Sequence, residues 1–84
     1  MTLIDSVRGL LCENYGVRPE AVTNDTMLAA IKSDGFDVLD IIIGVQIEFG
    51  IDIDEDDIDT LGTVGTVGDL VAVIEAKSKA GKVV

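Results

Sequence analysis

Apolar residues recur along the chain at spacings that favour helices. In the first segment they occupy positions 3, 4, 7, 10 and 11, which is the i, i+3, i+4, i+7 pattern of one helical face. This pattern predicts a helix over residues 2–14, ended by Gly16 and by Pro19, because the residue before a proline avoids the helical region. Cys12 lies beside the apolar face, and we expect it to be a partly buried filler rather than a reactive thiol.

Residues 17–34 mix Pro, Asn, Asp, Thr and Ser with isolated apolar positions. This composition predicts a long loop that contains a helical turn and is held down by a few buried side chains. The predicted anchors are Val22, Met27, Leu28 and Ile31. A loop of this length in a small domain usually has a functional role.

Two patterns overlap between residues 36 and 53. Positions 36, 39, 42, 43, 46 and 47 fit a helical stripe, whereas positions 45, 47, 49, 51 and 53 alternate as in a strand. Asp34 and Asp37 favour a helix, because a carboxylate at a helix N-terminus stabilises it by up to ~1 kcal/mol. We predict a helix to Phe49 and an extended piece over residues 50–53, with a strand over 45–53 as the alternative.

The remaining third of the chain predicts two more helices. A short one covers residues 54–61, with Asp54 as N-cap and with Ile58 and Leu61 facing inward. The triplet Gly-Thr-Val then occurs twice in tandem over residues 62–67 and is interpreted as a loop. Thr66 and Asp69 have the spacing of a capping box in which Asp replaces Glu or Gln.

The last helix is expected to turn four apolar side chains inward and to end in residues that complement its dipole. The inward set is Val67, Leu70, Val71 and Ile74. The dipole set is Lys77 and Lys79. Three amphipathic helices and one short helix predict an all-α bundle, formed by one domain over residues 1–80 with a frayed tail over 81–84.

Charge and composition exclude several functions. The 84 residues hold 16 acidic and 6 basic side chains, no His and one Cys, for a net charge of -10. Such a charge repels nucleic acid and anionic membranes and favours a basic partner. Without His there is no ordinary near-neutral proton shuttle. A lone Cys cannot close an internal disulfide. We therefore expect a noncatalytic cytoplasmic protein with no leader and no membrane span.

Acidic side chains are concentrated in one stretch that contains no basic residue. Its ten members are Asp34, Asp37, Asp40, Glu48, Asp52, Asp54, Glu55, Asp56, Asp57 and Asp59. The stretch is interpreted either as a solvated surface or as a docking strip for a basic partner. On the predicted second helix, the acids are expected to lie largely opposite a stripe of Phe36, Leu39, Ile43 and Ile47.

Metal and nucleotide sites are not supported by the motifs. Asp52, Asp54 and Asp56 alternate like the first ligands of an EF-hand loop, but Asp57 replaces the required Gly and Thr63 replaces the bidentate Glu. No specific metal site is therefore predicted. The glycines at positions 62, 65 and 68 lack the strand and the Lys of a phosphate-binding loop.

Several segments, in order, resemble the acyl carrier proteins. Residues 16–23 are similar to that family's loop after the first helix, and residues 34–41, Asp-Gly-Phe-Asp-Val-Leu-Asp-Ile, are similar to the Asp-Ser-Leu-Asp segment that opens its second helix. Glu48 and Phe49, followed by Ile51 and Ile53, resemble the exit of that helix. Thr66 and Val67 resemble the start of the last helix.

The resemblance implies a four-helix bundle of acyl-carrier type with a short third helix and a long first loop, and so favours the helix over the strand. Family members carry acyl intermediates of fatty-acid, polyketide or related lipid biosynthesis on 4'-phosphopantetheine. They dock on basic surfaces of acyl-chain synthases, transferases and the phosphopantetheinyl transferase. We expect this chain to be a monomer. The implied docking residues are Asp37, Asp40, Glu48, Asp54 and Glu55. The implied attachment site is position 35, flanked by Asp34 and Phe36.

The sequence departs from the family at the attachment site itself. Gly35 stands where the family has its modified serine, so no phosphodiester can form there. Ser33 is a less favoured substitute nucleophile, since it lies two residues earlier and follows a Lys. Two explanations are consistent with Gly35. The chain is either a natural homologue that has lost the carrier function and kept the docking surface, or a carrier that was deliberately made unmodifiable. The alternative function is a noncarrier acidic interaction or regulatory module.

Overall fold

The computed structural model describes residues 2–31 and 35–81, with side chains as far as residue 77. Four α-helices follow one another: α1 (Leu3–Tyr15), α2 (Val38–Phe49), α3 (Glu55–Thr63) and α4 (Val67–Gly81). Two short 3-10 turns, Pro19–Ala21 and Leu28–Ala30, interrupt the long loop between α1 and α2. The described part of the chain contains no β-strand, so the strand alternative over residues 45–53 is wrong and the all-helical class is confirmed.

Local capping decides where the first two helices begin and end. Thr2 and Asp5 form a reciprocal capping box at the start of α1, and Asp37 and Asp40 form another at the start of α2. Because Asp37 is the N-cap, α2 begins at Val38, two residues later than the apolar pattern predicted. α1 ends at Gly16 as predicted, in the left-handed conformation that glycine tolerates without strain.

The core is aliphatic and is shared by all four helices. Its fully covered side chains include Val7 and Leu11 from α1, Ile42 from α2, and Leu70 and Ile74 from α4. Helix α1 packs against both α2 and α4, while α3 packs against α2 and the second 3-10 turn. The predicted inward positions of α1, α3 and α4 are confirmed as buried or partly buried.

The core face of α2 differs from the predicted stripe. Ile41, Ile42 and Val45 are buried, with exposures of 1%, 0% and 0%. Leu39 and Ile43, which the stripe placed together with Phe36 and Ile47, are instead about half exposed. The prediction that the acidic side chains of α2 lie opposite the stripe is therefore wrong for Asp40. It lies three residues from Ile43 and is its neighbour on the helix surface.

The long loop is fastened to the start of α4 through its backbone. The amide of Leu28 donates to the carbonyl of Gly65 at 2.9 Å, and the amide of Val67 donates to the carbonyl of Thr26 at 2.8 Å. Val22 and Leu28 are buried anchors as predicted, but Met27 is 41% exposed. Met27 holds the loop through a backbone bridge to Thr66 rather than through its side chain.

The predicted N-terminal cap of α4 is present, whereas the predicted side-chain cap of α3 is not formed. The amide of Asp69 donates to the Thr66 hydroxyl at 3.1 Å and the Asp69 carboxylate accepts from the Thr66 amide at 3.0 Å, so the predicted capping box is confirmed. Asp54 occupies the N-cap position of α3 but makes no capping bond. Its carboxylate lies 3.4 Å from Lys77 Nζ. The predicted roles of the Lys79 side chain and of residues 82–84 lie outside the described part of the chain.

Candidate docking surface around the start of helix α2

The position that the sequence resemblance assigns to an attached group lies in an exposed turn before α2. Gly35 has φ +83°, which is a left-handed conformation that residues with a side chain rarely adopt. A Cβ built on Gly35 meets no atom within 4 Å, so the position is open to solvent and the constraint is conformational rather than steric. Asp34 and Ser33, the other residues considered for this site, lie outside the described residues.

The residues present do not fit a covalently bound phosphopantetheine. Such a group needs a hydroxyl oxygen for its phosphodiester, and Gly35 offers no side-chain atom. A serine introduced in the observed conformation would also be strained, because its Cβ crowds the following carbonyl when φ is positive. Position 35 therefore lacks the atom that an attachment site needs, and its observed backbone conformation disfavours a serine.

Phe36 and Tyr15 join the start of α2 to the end of α1. Their rings meet edge to face, with centroids 4.8 Å apart and an interplanar angle of 84°. The Tyr15 hydroxyl donates a hydrogen bond of 3.1 Å to the backbone carbonyl of Asp40. A Cβ on Gly44 would overlap that hydroxyl and lie 2.9 Å from Cζ of the tyrosine, so Gly44 is what allows the approach. Tyr15 thus braces the first turns of α2.

The five predicted docking residues are all exposed, but they do not form one cluster. Asp37 and Asp40 come together, because each carboxylate accepts the other residue's amide at 3.0–3.2 Å. Glu48 faces a groove between α1 and α2. Asp54 contacts Lys77 of α4, and Glu55 lies in the exposed first turn of α3. The acidic residues are consequently distributed over the start of α2, the groove between α1 and α2, and the start of α3.

The groove between α1 and α2 is acidic at its edges and apolar at its floor. It has a volume of about 460 Å³ and is lined by Asp5, Glu13 and Glu48 together with Leu10 and Phe49. Hydrogen bonds from the Thr2 hydroxyl and amide, joined by the neighbouring Arg8 guanidinium, lower the pKa of Asp5 from its usual value near 3.8. Asp5 therefore stays ionised to more acidic pH than an isolated aspartate.

Three residues of the apolar stripe that the sequence analysis identified lie along the outer, exposed face of α2. Leu39, Ile43 and Ile47, here called the α2 strip, follow one another at intervals of four residues and so lie on one side of the helix. Their exposed fractions are 49%, 51% and 77%. Large aliphatic side chains are normally among the most buried residues, so three of them exposed in a row form an unusual surface.

A hollow adjoins the C-terminal half of the α2 strip. It has a volume of about 430 Å³, and its walls are Ile43, Gln46, Ile47, Gly50, Ile51 and Asp52. Gln46 is fixed in place, because its Oε1 accepts the backbone amide of Ile53 at 2.9 Å. The hollow is therefore bounded by a helix on one side and by a braced turn on the other.

Within residues 2–31 and 35–77, no three His, Cys, Asp or Glu side chains are arranged to hold a metal ion. None of the helices that the structure describes has the length and apolar character needed to cross a bilayer. The chain matches no protein-family model. The resemblance to acyl carrier proteins therefore rests on the sequence segments named in the sequence analysis, and it remains a prediction.

Proposed function

We propose that this chain is an acyl-carrier-like docking module that is not loaded with a prosthetic group. In this proposal its helices form a four-helix bundle of acyl-carrier type. The short α3 and the long first loop are features that the resemblance implies. The protein is a noncatalytic monomer of the cytoplasm. Its family setting is fatty-acid, polyketide or related lipid biosynthesis.

The observation that carries the proposal is the junction at Gly35. The exposed turn at this residue stands directly before a capped helix, where the resemblance assigns the attachment site. At that place the chain has a backbone conformation suited to glycine and no atom that could accept the phosphopantetheinyl group. The carrier arrangement is kept, but the group-accepting atom is missing.

The acidic surface supports the choice of partners. Asp37 and Asp40 hold their carboxylates at the exposed head of α2, and Glu48 and Glu55 are exposed further along the same stretch of chain. Exposed carboxylates of this density attract basic surfaces and speed the encounter with them. The proposed partners are basic surfaces of acyl-chain synthases, transferases or a phosphopantetheinyl transferase.

The experiment is intact-mass measurement after incubation with coenzyme A and a phosphopantetheinyl transferase. We expect the unsubstituted chain to keep its mass and Gly35→Ser to gain one phosphopantetheinyl group. Gly35→Ala is the matched control, because it introduces the same backbone strain without a hydroxyl, and it should gain nothing. A mass gain on the unsubstituted chain would contradict the proposal, and peptide mapping would show whether Ser33 had accepted the group.

A second function is a noncarrier acidic module that keeps only an interaction surface. The left-handed turn at Gly35 favours it, because a conformation that needs glycine is not what a serine-bearing site would maintain. Failure of Gly35→Ser to load, with salt-sensitive binding of a basic partner preserved, would select this function over the first.

A further inference from the structure

The groove between α1 and α2 holds two carboxylates that no described cation neutralises. Glu13 of α1 and Glu48 of α2 both line it. Neither carboxylate forms an ion pair or a hydrogen bond with another residue that the structure describes. Like charges that share one groove repel each other, and a cation placed between them would remove that repulsion.

The basic side chains that the structure describes are committed elsewhere. Arg8 pairs with the third acid of the groove, Asp5, at 2.8 Å. Its Nε and Nη2 both donate to the carbonyl of Val22, at 3.2 and 3.0 Å. The other two described bases lie beside carboxylates outside the groove, Arg18 beside Glu20 and Lys77 beside Asp54. A cation for the groove therefore has to come from another molecule.

The floor of the groove is apolar and lies at the level of the α1 backbone. Leu10 and Phe49 line it together with Gly9. Gly9 lies inside α1, where glycine is less stable than alanine. A Cβ at this position would meet no atom within 4 Å, so packing within the fold does not require glycine. What Gly9 does is leave the groove open down to its floor.

We propose that this groove binds an arginine side chain carried by an extended segment of a partner protein. A guanidinium group is planar and always charged, and it can bond to carboxylates on two sides while it stacks on an aromatic ring. In this arrangement it lies over Phe49 between Glu13 and Glu48. Apolar neighbours of the arginine cover Leu10.

This groove is separate from the turn at Gly35 and from the α2 strip. Glu48 and Phe49 follow Ile47 by about 100° and about 200° around the helix, because each residue turns the chain by about 100°. They also stand at the far end of α2, about 16 Å along its axis from Val38. An arginine in the groove would therefore leave the start of α2 accessible to a second partner.

Other occupants are less compatible with the charge of the groove. A second copy of this chain would bring a further net charge of -10 towards two carboxylates that lack a counter-charge. An anionic lipid surface would be repelled for the same reason. An uncharged apolar ligand would cover the carboxylates without pairing them, which is costly.

The test is titration of the ¹⁵N-labelled full chain with the capped peptide Gly-Ser-Leu-Arg-Leu-Ser-Gly, followed by NMR. We expect the largest shifts at the amides of residues 9–14 and 48–49. A peptide with citrulline in place of arginine keeps the shape without the charge and should bind about tenfold more weakly or not at all. A lysine peptide should fall between the two, because an ammonium group neither stacks nor bridges as a guanidinium does.

Substitutions in the chain separate recognition by the groove from general attraction. Glu13→Gln and Glu48→Gln should each weaken binding by about threefold, the size expected for an exposed charge pair. Glu20→Gln is the matched control, because it removes the same charge from an exposed site outside the groove, and it should bind as the unsubstituted chain does. Gly9→Leu fills the groove without changing the charge and should weaken binding about tenfold or more, whereas Gly9→Ala should retain it.

Any of four results would overturn the proposal. The first is the absence of saturable shifts at the groove amides with millimolar arginine peptide, or equal shifts with the citrulline peptide. The second is an equal loss of affinity in Glu13→Gln and Glu20→Gln, which would mean that only net charge matters. The third is undiminished binding by Gly9→Leu, shown to be folded by circular dichroism. The fourth is a dimer in sedimentation equilibrium that Gly9→Leu abolishes, which would assign the groove to a second copy.

Discussion

The positive φ of Gly35 predicts that this glycine responds to substitution differently from an ordinary surface glycine. Gly35 and Gly9 both have open space where a Cβ would stand. They differ in conformation, because Gly35 has φ +83° whereas Gly9 lies inside α1. Substitution by alanine should therefore act in opposite directions at the two positions.

The magnitudes follow from the two conformations. In a helix interior, replacing Gly9 by alanine reduces the entropy of the unfolded chain and should stabilise the protein by about 0.5–1 kcal/mol. In the left-handed region a Cβ costs about 1–2 kcal/mol, so Gly35→Ala should destabilise by roughly that amount. The expected difference between the variants is about 2 kcal/mol. This difference is large, because a small hydrophobic core supplies only about 3–5 kcal/mol of net folding stability.

Urea denaturation followed by far-ultraviolet circular dichroism measures this difference directly. Gly35→Asn is a useful third variant, because Asn tolerates the left-handed region better than Ala and should lose less stability. A Gly35→Ala variant as stable as the unsubstituted chain would refute the conformational argument. It would also mean that the missing hydroxyl is all that distinguishes position 35 from an attachment site.

Three further predictions concern the elements around α2 and the charge of the chain. Gly44→Ala should displace the Tyr15 hydroxyl from the Asp40 carbonyl and destabilise the fold by about 1–3 kcal/mol. Tyr15 is the only tyrosine of the chain, so near-ultraviolet circular dichroism reports on its surroundings. An unchanged near-ultraviolet signal in this variant would contradict the predicted displacement. Thr2→Ala should raise the pKa of Asp5 in an NMR titration. Because the folded-state pKa of Asp5 is lowered, its contribution to stability is present above the unfolded value, near pH 4, and is lost as pH falls through the folded pKa. Moderate salt or millimolar magnesium should raise the melting temperature by screening the acidic stretch, and an unchanged or lower value would count against self-repulsion.

Elements with local signals were predictable from the sequence. The predicted bounds of α1 differ from the observed ones by one residue at each end, because Thr2 and Gly16 determine the ends of the helix through bonds within one turn. The Thr66 and Asp69 capping box is local in the same way. Asp54 has the correct position but not the predicted bond, since its carboxylate turns toward Lys77, 23 residues away.

The orientation of α2 could not be obtained from periodicity. Apolar residues occupy almost every side of this helix, so the pattern indicates a helix but not which face is buried. Tertiary contacts decide which face of α2 is buried. The Tyr15 ring of α1 packs against α2 at Gly44, and Val38 of α2 lies beside Gly62 of α3. The α2 strip is what remains outside. A glycine within a run of β-branched residues was the one sequence signal of that contact.

Competition between the unsubstituted chain and its Gly35→Ser variant tests the central claim most directly. The variant is loaded by a phosphopantetheinyl transferase while increasing amounts of the unsubstituted chain are added, and both masses are followed. A docking module that is not loaded should slow the loading of the variant competitively and keep its own mass. Loading of the unsubstituted chain, or loading of the variant at a rate that the competitor leaves unchanged, would contradict the account.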